Sequence, residues 1–420
     1  MRLRLFGQVA FLSMMSMLIS VSCGGSSTAT STAPIVMAMI GPLTGQYAPF
    51  GTPLLEGAET AAKVINDNGG ILGRKLQIDQ IDTIGDPGDA VTALNKEIAT
   101  GQPVALIGPI SLEINAVKGI FDRHHIVDGL NAGSSAFDNN TDPWLWRCNA
   151  SDSQLSVAEA TLAQEKGYKT AVAMISTLGG TLAQAPPLQK AFETLGGTWL
   201  GTIPINNGQV SYRSEVQKVI NLHPDVIFSN YDPGTGAVIF NNFQELDNLA
   251  IPFIGADVTS APEFIKAVGP AVAKAHMLSV QGSDALTSSG QAYAAAYQAL
   301  LGHAPLSGAS YAYDCAMSFA LAMDKAGTSD PNKWVNDITN VTNPPGTQVN
   351  DYKTALADLK AGMKINYEGV SGPMDFDKYH NVAGAWDVMQ ATGNADAGVS
   401  RLETISADQI QQVLNQEGTS

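Results

Sequence analysis

Short apolar runs alternate with amphipathic segments along the first third of the chain. IVMAMIG (35–41), VALIG (104–108) and IVDGL (126–130) are largely apolar and end at glycine or polar residues. Between the first two, LLEGAETAAKVINDN (54–68) places its apolar residues on one helical face, which predicts an amphipathic helix. Buried strands separated by helices are typical of a parallel sheet that is covered on both faces.

A second series of the same kind begins after Cys148. Its strand-like runs include TAVAMIS (170–176), DVIFSN (225–230) and IPFIG (251–255), and helix-like segments separate them. HMLSVQG (276–282) ends the series. Two series of this kind predict an α/β protein with two doubly wound parallel-sheet lobes.

The remaining residues differ from both series. Residues 288–301 and 308–326 are predicted to be long helices, and GPMDFD (372–377) and WDVMQA (386–391) to be terminal strands. A C-terminal tail, 392–420, follows and contains one amphipathic stretch. The pattern alone leaves open whether this stretch docks on the protein or frays.

Length and charge narrow the classes of function. A single hydrophobic core stops growing at about 250–300 residues, so a chain of 420 residues is expected to form more than one lobe. The formal net charge is −16, with no block of clustered Lys and Arg, so nucleic acid is not an expected partner.

The N-terminus predicts export and anchoring. Arg2 and Arg4 precede a largely apolar stretch, so residues 1–22 are interpreted as a signal peptide. Cys23 follows and is the predicted lipidation site, with residues 23–34 as a lipidated flexible tether to the membrane. Ser20 departs from the usual lipoprotein pattern, so an ordinary signal with an unrelated cysteine is the alternative.

Motifs of metal, cofactor and enzyme chemistry are not found. Cys148 and Cys315 have no metal-site spacing, and they are open to pairing or to being two buried free thiols. The sequence lacks G-x-S-x-G, H-E-x-x-H, a P-loop and G-x-G-x-x-G. We therefore expect no enzyme activity, no cofactor and no metal.

Two motifs carry a family resemblance. IGPLTGQYAPFG (40–51) and GGILGRKLQI (69–78) resemble the branched-chain amino acid-type solute-binding proteins, which are the type I periplasmic binding proteins of ABC transporters. The resemblance implies two α/β lobes joined by a three-strand hinge near Asn149, Gln281 and Ser371. Lobe 1 would comprise 35–149 plus 282–370, and lobe 2 would comprise 150–281 plus 371–391.

The same resemblance implies a function. A monomer outside the cytoplasm, in a bacterial periplasm or on the outer face of the cytoplasmic membrane, would capture a small polar ligand in the interlobe cleft. The ligand would be an amino acid or a related amine, amide or carboxylate, for delivery to an ABC permease. Two alternatives remain open: a ligand-sensing lipoprotein that signals to a membrane receptor, and a structural lipoprotein whose pocket has degenerated.

Candidate ligand contacts follow from the resemblance, residue by residue. In lobe 1, Ala132, Gly133 and Ser134 match a loop that binds a ligand carboxylate. Ser111 or Leu112 matches a second contact, where a leucine would replace a hydroxyl donor and disfavour a plain α-amino acid. Helix capping is the alternative role of each serine.

Lobe 2 would bind the ammonium group of the ligand. Asp257 follows the strand IPFIG and matches the family's acidic contact, since a desolvated ammonium needs a charge-assisted acceptor. Further candidates are Thr181 and either Tyr231 or Asp232 in lobe 2, and Tyr47 and Tyr313 in lobe 1. Core packing is the alternative role of the tyrosines.

Overall fold

The computed structural model describes residues 33–45, 47–283 and 288–418. The strands are β1 Ile35–Gly41, β2 Leu76–Asp82, β3 Ala105–Ile107, β4 Val127–Leu130, β5 Leu145–Arg147, β6 Thr170–Ser176, β7 Thr198–Ile205, β8 Val226–Asn230, β9 Phe253–Gly255, β10 Met277–Gly282, β11 Thr347–Val349, β12 Ile365–Tyr367, β13 Trp386–Ala391 and β14 Val399–Ile405.

Helices cover both faces of the sheets. They are α1 Ala48–Asp67, α2 Pro87–Thr100, α3 Ile114–His124, α4 Asp152–Glu165, α5 Ala185–Thr194, α6 Arg213–Leu222, α7 Pro233–Glu245, α8 Pro262–Val268, α9 Pro270–His276, α10 Ser288–Leu301, α11 Ala309–Ala326, α12 Pro331–Trp334, α13 Ile338–Thr342, α14 Tyr352–Lys360 and α15 Ala407–Glu417. Short 3-10 turns span Ser135–Phe137, Leu178–Gln184, Asp257–Ser260 and Val335–Asp337.

The first sheet has the order β2-β1-β3-β4-β5, and all its strand pairs are parallel. Successive side chains of β1 enter different cores: Met37 and Met39 pack in one, and Ala38 and Ile40 in the other. Because side chains alternate across a strand, burial of both sets requires helices on both faces of the sheet. Burial on both faces of the sheet explains why the sequence of β1 is an uninterrupted apolar run.

The second sheet has the order β14-β13-β10-β9-β8-β6-β7. Strands β6 to β10 are parallel, whereas β13 is antiparallel to β10 and β14 is antiparallel to β13. Ala173 and Val172 of β6 again enter opposite cores. The predicted α/β fold with two parallel-sheet lobes is confirmed.

The C-terminal residues complete the second lobe. Strand β14 extends the second sheet, and α15 packs on α5 and α4 through Ile410 and Val413. A capping box of Ser406 and Gln409 begins α15 and satisfies backbone N–H groups at the helix start. The amphipathic stretch of the predicted tail is therefore docked.

The predicted strand 372–377 is absent from the described structure, where these residues form irregular chain. Their apolar side chains Met374 and Phe376 pack in the first core together with Val382, whereas Trp386 packs in the second. The family resemblance implies that residues 371–382 belong to the second lobe. The core contacts instead bring the chain into the second lobe between Val382 and Trp386.

A disulfide joins Cys148, directly after β5, to Cys315 in α11, with Cα atoms 5.6 Å apart. It resolves the alternative that the sequence left open in favour of a bonded pair. Gly129 of β4 lies beneath it, and a Cβ atom there would stand 2.0 Å from Cys315 Sγ. The bond thus requires a glycine on the neighbouring strand, and it holds α11 against the end of the first sheet.

Among the residues that the structure describes, no helix has the length and apolarity needed to cross a bilayer. The predicted signal peptide, Cys23 and the tether up to Thr32 lie outside the described residues.

Candidate functional site

Asp257 begins a 3-10 turn two residues after β9 ends. Its side chain is exposed to solvent, and its Oδ1 accepts a hydrogen bond from Val258 N at 2.8 Å. Desolvation by the surrounding protein nevertheless raises the pKa of the Asp257 carboxyl, with the Val258 N–H acting in the opposite direction. The carboxylate thus keeps solvent contact within a protein environment that disfavours its charge.

Asp152 is near enough to Asp257 for the charge of Asp257 to act on its carboxyl, and it is not among the residues predicted from the sequence. Helix α4 begins at this residue, capped by Ser151, whose Oγ accepts from Gln154 N at 3.2 Å. The Asp152 carboxylate approaches Gly133 so closely that a Cβ atom there would stand 2.0 Å from Oδ1. Burial, and then the charge of Asp257, raise the pKa of Asp152 to about 6, and Arg147 acts in the opposite direction.

Glu159 is the third carboxylate of this group and was also missed. It lies seven residues after Asp152 in α4 and is 1% exposed. Burial, then the charges of Asp257 and Asp152, raise its pKa well above the ordinary value. Gln184 Nε2 donates to Glu159 Oε2 at 2.8 Å, and Asn230 Nδ2 donates in turn to Gln184 Oε1 at 2.8 Å.

The two missed residues have ordinary positions in the sequence. An acid in the first turn of a helix stabilises the helix dipole, and a glutamate inside a helix is usually solvated. One signal was available in the sequence, because residues 154–163 are rich in Ala, Leu and Val. The structure buries this run without a break. A run of this composition does not form a solvated helix face, so a glutamate within it is unusual.

Arg147 holds the loop Ala132–Ser134 by hydrogen bonding to its backbone. This guanidinium is 2% exposed and donates to Ser134 O at 3.0 Å and to Asn381 Oδ1 at 2.9 Å. It also forms an ion pair with Asp138 at 2.5 Å. Arg147 therefore fixes the loop that contacts Asp152, while its positive charge is paired with the carboxylate of Asp138.

The remaining lobe-1 candidates differ in exposure. Ala132 is buried, and Ser134 Oγ accepts from Ala136 N at 3.4 Å, which is a capping contact. Ser111 and Leu112 are both half-buried in the turn before α3. Tyr47 is half-buried at the start of α1. Tyr313 lies in the first core, where its ring is 4.7 Å from that of Tyr293.

The remaining lobe-2 candidates have structural contacts. Tyr231 is 2% exposed and stacks on Phe264 at 6.2 Å. Asp232 caps α7, since its Oδ1 accepts from Thr235 N at 3.0 Å. Thr181 is half-buried within the 3-10 turn that follows β6. Of the predicted residues, Gly133 is in contact with Asp152, and the charge of Asp257 raises the pKa of the Asp152 carboxyl.

Two surface cavities lie away from these carboxylates. One, of about 230 Å³, is bordered by Asp324 and Lys360, and the other, of about 360 Å³, is bordered by Lys118 and Asp142. Neither includes a predicted contact residue. Among the described residues, no group of three or more His, Cys, Asp or Glu side chains could hold a metal ion.

Comparison with known proteins agrees with this architecture. Residues 34–397 match the family described as periplasmic binding protein, so the chain belongs to that family. A Leu/Ile/Val-binding protein homolog from Brucella melitensis is 26% identical over 367 residues, which is 86% of this chain and 92% of that protein.

Solved structures share the fold. The branched-chain amino acid transporter substrate binding protein of Streptococcus pneumoniae, in complex with isoleucine, has a TM-score of 0.69 at 18% identity and covers 88% of this chain and 100% of its own. A solute binding protein of an ABC transporter from R. palustris, in complex with benzoate, has a TM-score of 0.68 at 18% identity, covering 89% and 96%. The fold is that of a type I periplasmic binding protein.

Proposed function

We propose that this protein captures a small ligand with an ammonium group between its two lobes, outside the cytoplasm, for delivery to an ABC permease. The observation that carries the proposal is Asp257, a solvent-accessible carboxylate beyond the carboxyl end of β9 that lacks an ion-pair partner among the described residues. In open α/β sheets, ligands bind outside the carboxyl ends of the strands. The relatives named above, a Leu/Ile/Val-binding protein homolog and a transporter protein with isoleucine, support capture for transport rather than sensing or catalysis.

The two lobes would have different tasks. Asp257 in lobe 2 would accept a charge-assisted hydrogen bond from the ammonium group. Ala132, Gly133 and Ser134 in lobe 1 would contact the other end of the ligand, with Ser111, Leu112 and Tyr47 at the same side of the cleft. A ligand that touches both lobes binds the closed form better than the open form, and therefore shifts the population toward the form that a permease would recognise.

Anchoring is a separate part of the proposal. Cys23 would carry the lipid, and residues 24–34 would tether the lobes to the membrane surface. Metabolic labelling with palmitate, compared between the wild type and Cys23→Ala, tests it. Label on the wild type alone supports the anchor, and equal label on both proteins contradicts it.

A thermal-shift screen tests the binding function. Amino acids, amides, amines and aromatic acids would each be added at millimolar concentration, because a ligand at 100 times its Kd stabilises by about 2.7 kcal/mol. We expect at least one amine-bearing compound to raise the Tm and Asp257→Ala to abolish that rise. A screen in which nothing shifts the Tm contradicts capture, and a shift that survives Asp257→Ala contradicts the role of Asp257.

A further inference from the structure

Two of the segments that carry the chain from the first core to the second are described without a gap. Cys148 packs in the first core and Ala150 in the second, so one segment passes between them. Val382 packs in the first core and Trp386 in the second, so another segment passes there. These two segments are called the first crossing and the last crossing.

The two crossings run side by side in the same direction. Where they begin, Arg147 and Asn381 form a parallel bridge, and Arg147 Nε donates to Asn381 Oδ1 at 2.9 Å. Three residues further along each segment, Ala150 lies so close to Gly384 that a Cβ atom added there would stand 2.7 Å from Ala150 Cβ. The close approach of the crossings therefore requires a glycine at position 384.

Gln154 connects the last crossing to helix α4. The side chain of Gln154 is buried, its Nε2 donates to Val382 O at 3.0 Å, and its Oε1 accepts from Gly384 N at 3.0 Å. Helix α4 packs in the second core through Leu155 and Val157, whereas Val382 packs in the first. The hydrogen bond from Gln154 to Val382 therefore joins the two lobes.

A hydrogen bond in this place opposes a change in the angle between the lobes. Such a change moves α4 relative to Val382, unless both crossings bend together. If the bond breaks, a buried amide and a buried carbonyl lose their partners, which costs free energy. The bonded arrangement therefore favours a rotation in which the two crossings move as one unit.

We propose that Gln154 is a positioning residue that couples the first and last crossings and so restricts the angle between the lobes. The proposal deepens the proposed function and rests on it, because capture between two lobes requires them to turn about the crossings in a defined way. With coupled crossings the lobes share one axis of rotation. Without the coupling, each crossing bends independently and the range of interlobe angles grows.

Distances between nitroxide labels, measured by pulsed electron paramagnetic resonance on the ligand-free full chain, test the coupling. Lys96→Cys in α2 and Lys218→Cys in α6 place one label on each lobe at exposed positions. Cys23→Ala is included in every variant. Since Cys148 and Cys315 are bonded to each other, the two introduced cysteines are then the only free thiols of the sequence.

Two substitutions of Gln154 remove different parts of its amide. Gln154→Met has a similar length and lacks both polar atoms, so we expect a distance distribution about twofold wider than that of the labelled parent. Gln154→Glu, measured at pH 8, keeps an acceptor for Gly384 N but lacks the donor to Val382 O, so it should also widen the distribution. Urea unfolding verifies that each variant folds, and if Gln154→Met does not fold, Gln154→Glu decides the test.

Gln184→Met is the matched control. Gln184 is also a buried glutamine whose amide donates one hydrogen bond and accepts another, but its partners Glu159 and Asn230 both belong to the second lobe. We expect this variant to lose stability in urea as Gln154→Met does, and to keep the parent distribution. A merely structural role of Gln154 would affect stability without widening the distribution.

The outcomes separate the coupling from ligand capture. A distribution for the Gln154 variants as narrow as that of the parent, or equal widening in Gln184→Met, overturns the coupling. Since this measurement uses no ligand, that result does not contradict capture. A ligand screen in which nothing binds contradicts capture, and a widened distribution in the Gln154 variants still supports the coupling.

Discussion

The carboxylate of Asp152 lies against the backbone of Gly133, so that a Cβ atom at position 133 would stand 2.0 Å from Asp152 Oδ1. The backbones are also joined, because Asp152 N donates to Gly133 O at 2.7 Å. This contact connects the loop after β4 with the first turn of α4. It therefore joins a loop at the end of the first sheet to a helix that packs on the second sheet.

Gly133→Ala is expected to disturb this contact. The added methyl group overlaps the carboxylate, and overpacking of this kind costs about 1–3 kcal/mol. Urea unfolding measures the loss. Adding Asp152→Ala to the Gly133→Ala background should recover most of it, because the overlapping group is then gone.

Gly119→Ala is the matched control. Gly119 is exposed in α3, and a Cβ atom there would meet Arg123 Nη1 at an ordinary 3.5 Å. We expect a gain of about 0.5–1 kcal/mol, because alanine is the better helix former. Equal effects of the two substitutions, or no recovery in the double variant, would contradict the packing of Asp152 on Gly133.

Stability should depend on pH through carboxylates that the folded protein desolvates, which include Asp152, Glu159 and Asp257 and also Asp128 and Asp314 elsewhere in the fold. Their pKa values are raised in the folded protein, so the folded state binds more protons than the unfolded state at mildly acidic pH. The free energy of unfolding should therefore rise as the pH falls from about 7.5 to about 5. For Asp152 alone, with a pKa of about 6, the contribution is at most about 3 kcal/mol.

Urea unfolding at several pH values between 5 and 7.5 measures this dependence. This window excludes the acid range in which Asp82 and Asp232, whose pKa values are lowered by hydrogen bonds, would lose their contribution. Urea is preferred to guanidinium, which is itself a cation. Asp152→Asn should make the slope less steep without removing it, because the other raised carboxyls such as Asp314 remain. An unchanged slope in that variant would rule out Asp152 as a source.

The fold was accessible from the sequence because buried strands and amphipathic helices leave strong local patterns. The alternation of Met37, Ala38 and Met39 between two cores explains why β1 reads as a continuous apolar run. The alternating apolar residues around Met374 predict a strand, but these residues pack in the first core as irregular chain. Hydrogen-bond pairing is a nonlocal property that one segment does not reveal.

Only part of the candidate site could be predicted from the sequence. The ligand contact of Asp257 stays a prediction, made from the family resemblance and from its position just beyond the end of a strand, where ligands bind in open α/β sheets. The burial of Glu159 has one local signal, the apolar run of α4, but the elements that α4 packs against, β9 and α5, follow later in the chain. Tyr231 and Asp232 are predicted ligand contacts, but their observed contacts are structural. Tyr231 packs on Phe264, and Asp232 caps α7.

Reduction of the disulfide should lower stability. The bond closes a loop with a sequence separation of 167 residues, and loss of a native disulfide typically costs about 2–5 kcal/mol. We expect the variant with both Cys148→Ala and Cys315→Ala to unfold at lower urea, as the reduced wild type does. The double variant is its own control, because a reductant that destabilises it equally would act through something other than this bond.

Arg147→Met should release the loop that contains Gly133 and Ser134. It leaves Asp138 without its ion pair and Asn381 Oδ1 without a donor, and breaking a buried pair costs up to about 3–5 kcal/mol. Urea unfolding provides the measurement. The exposed pair of Arg213 and Glu245 is the control, and Arg213→Met should cost no more than about 1 kcal/mol.

The most direct test of ligand capture is calorimetric titration of Asp257→Asn beside Asp247→Asn, using the amine that most raises the Tm of the wild type. Asp247 is exposed in the same lobe, and its positive φ of 55° suits asparagine, so this variant should bind as the wild type does. Asp257→Asn should raise the Kd by about 10- to 100-fold, since it removes a charged hydrogen-bond acceptor. Equal affinities of the two variants would contradict the account.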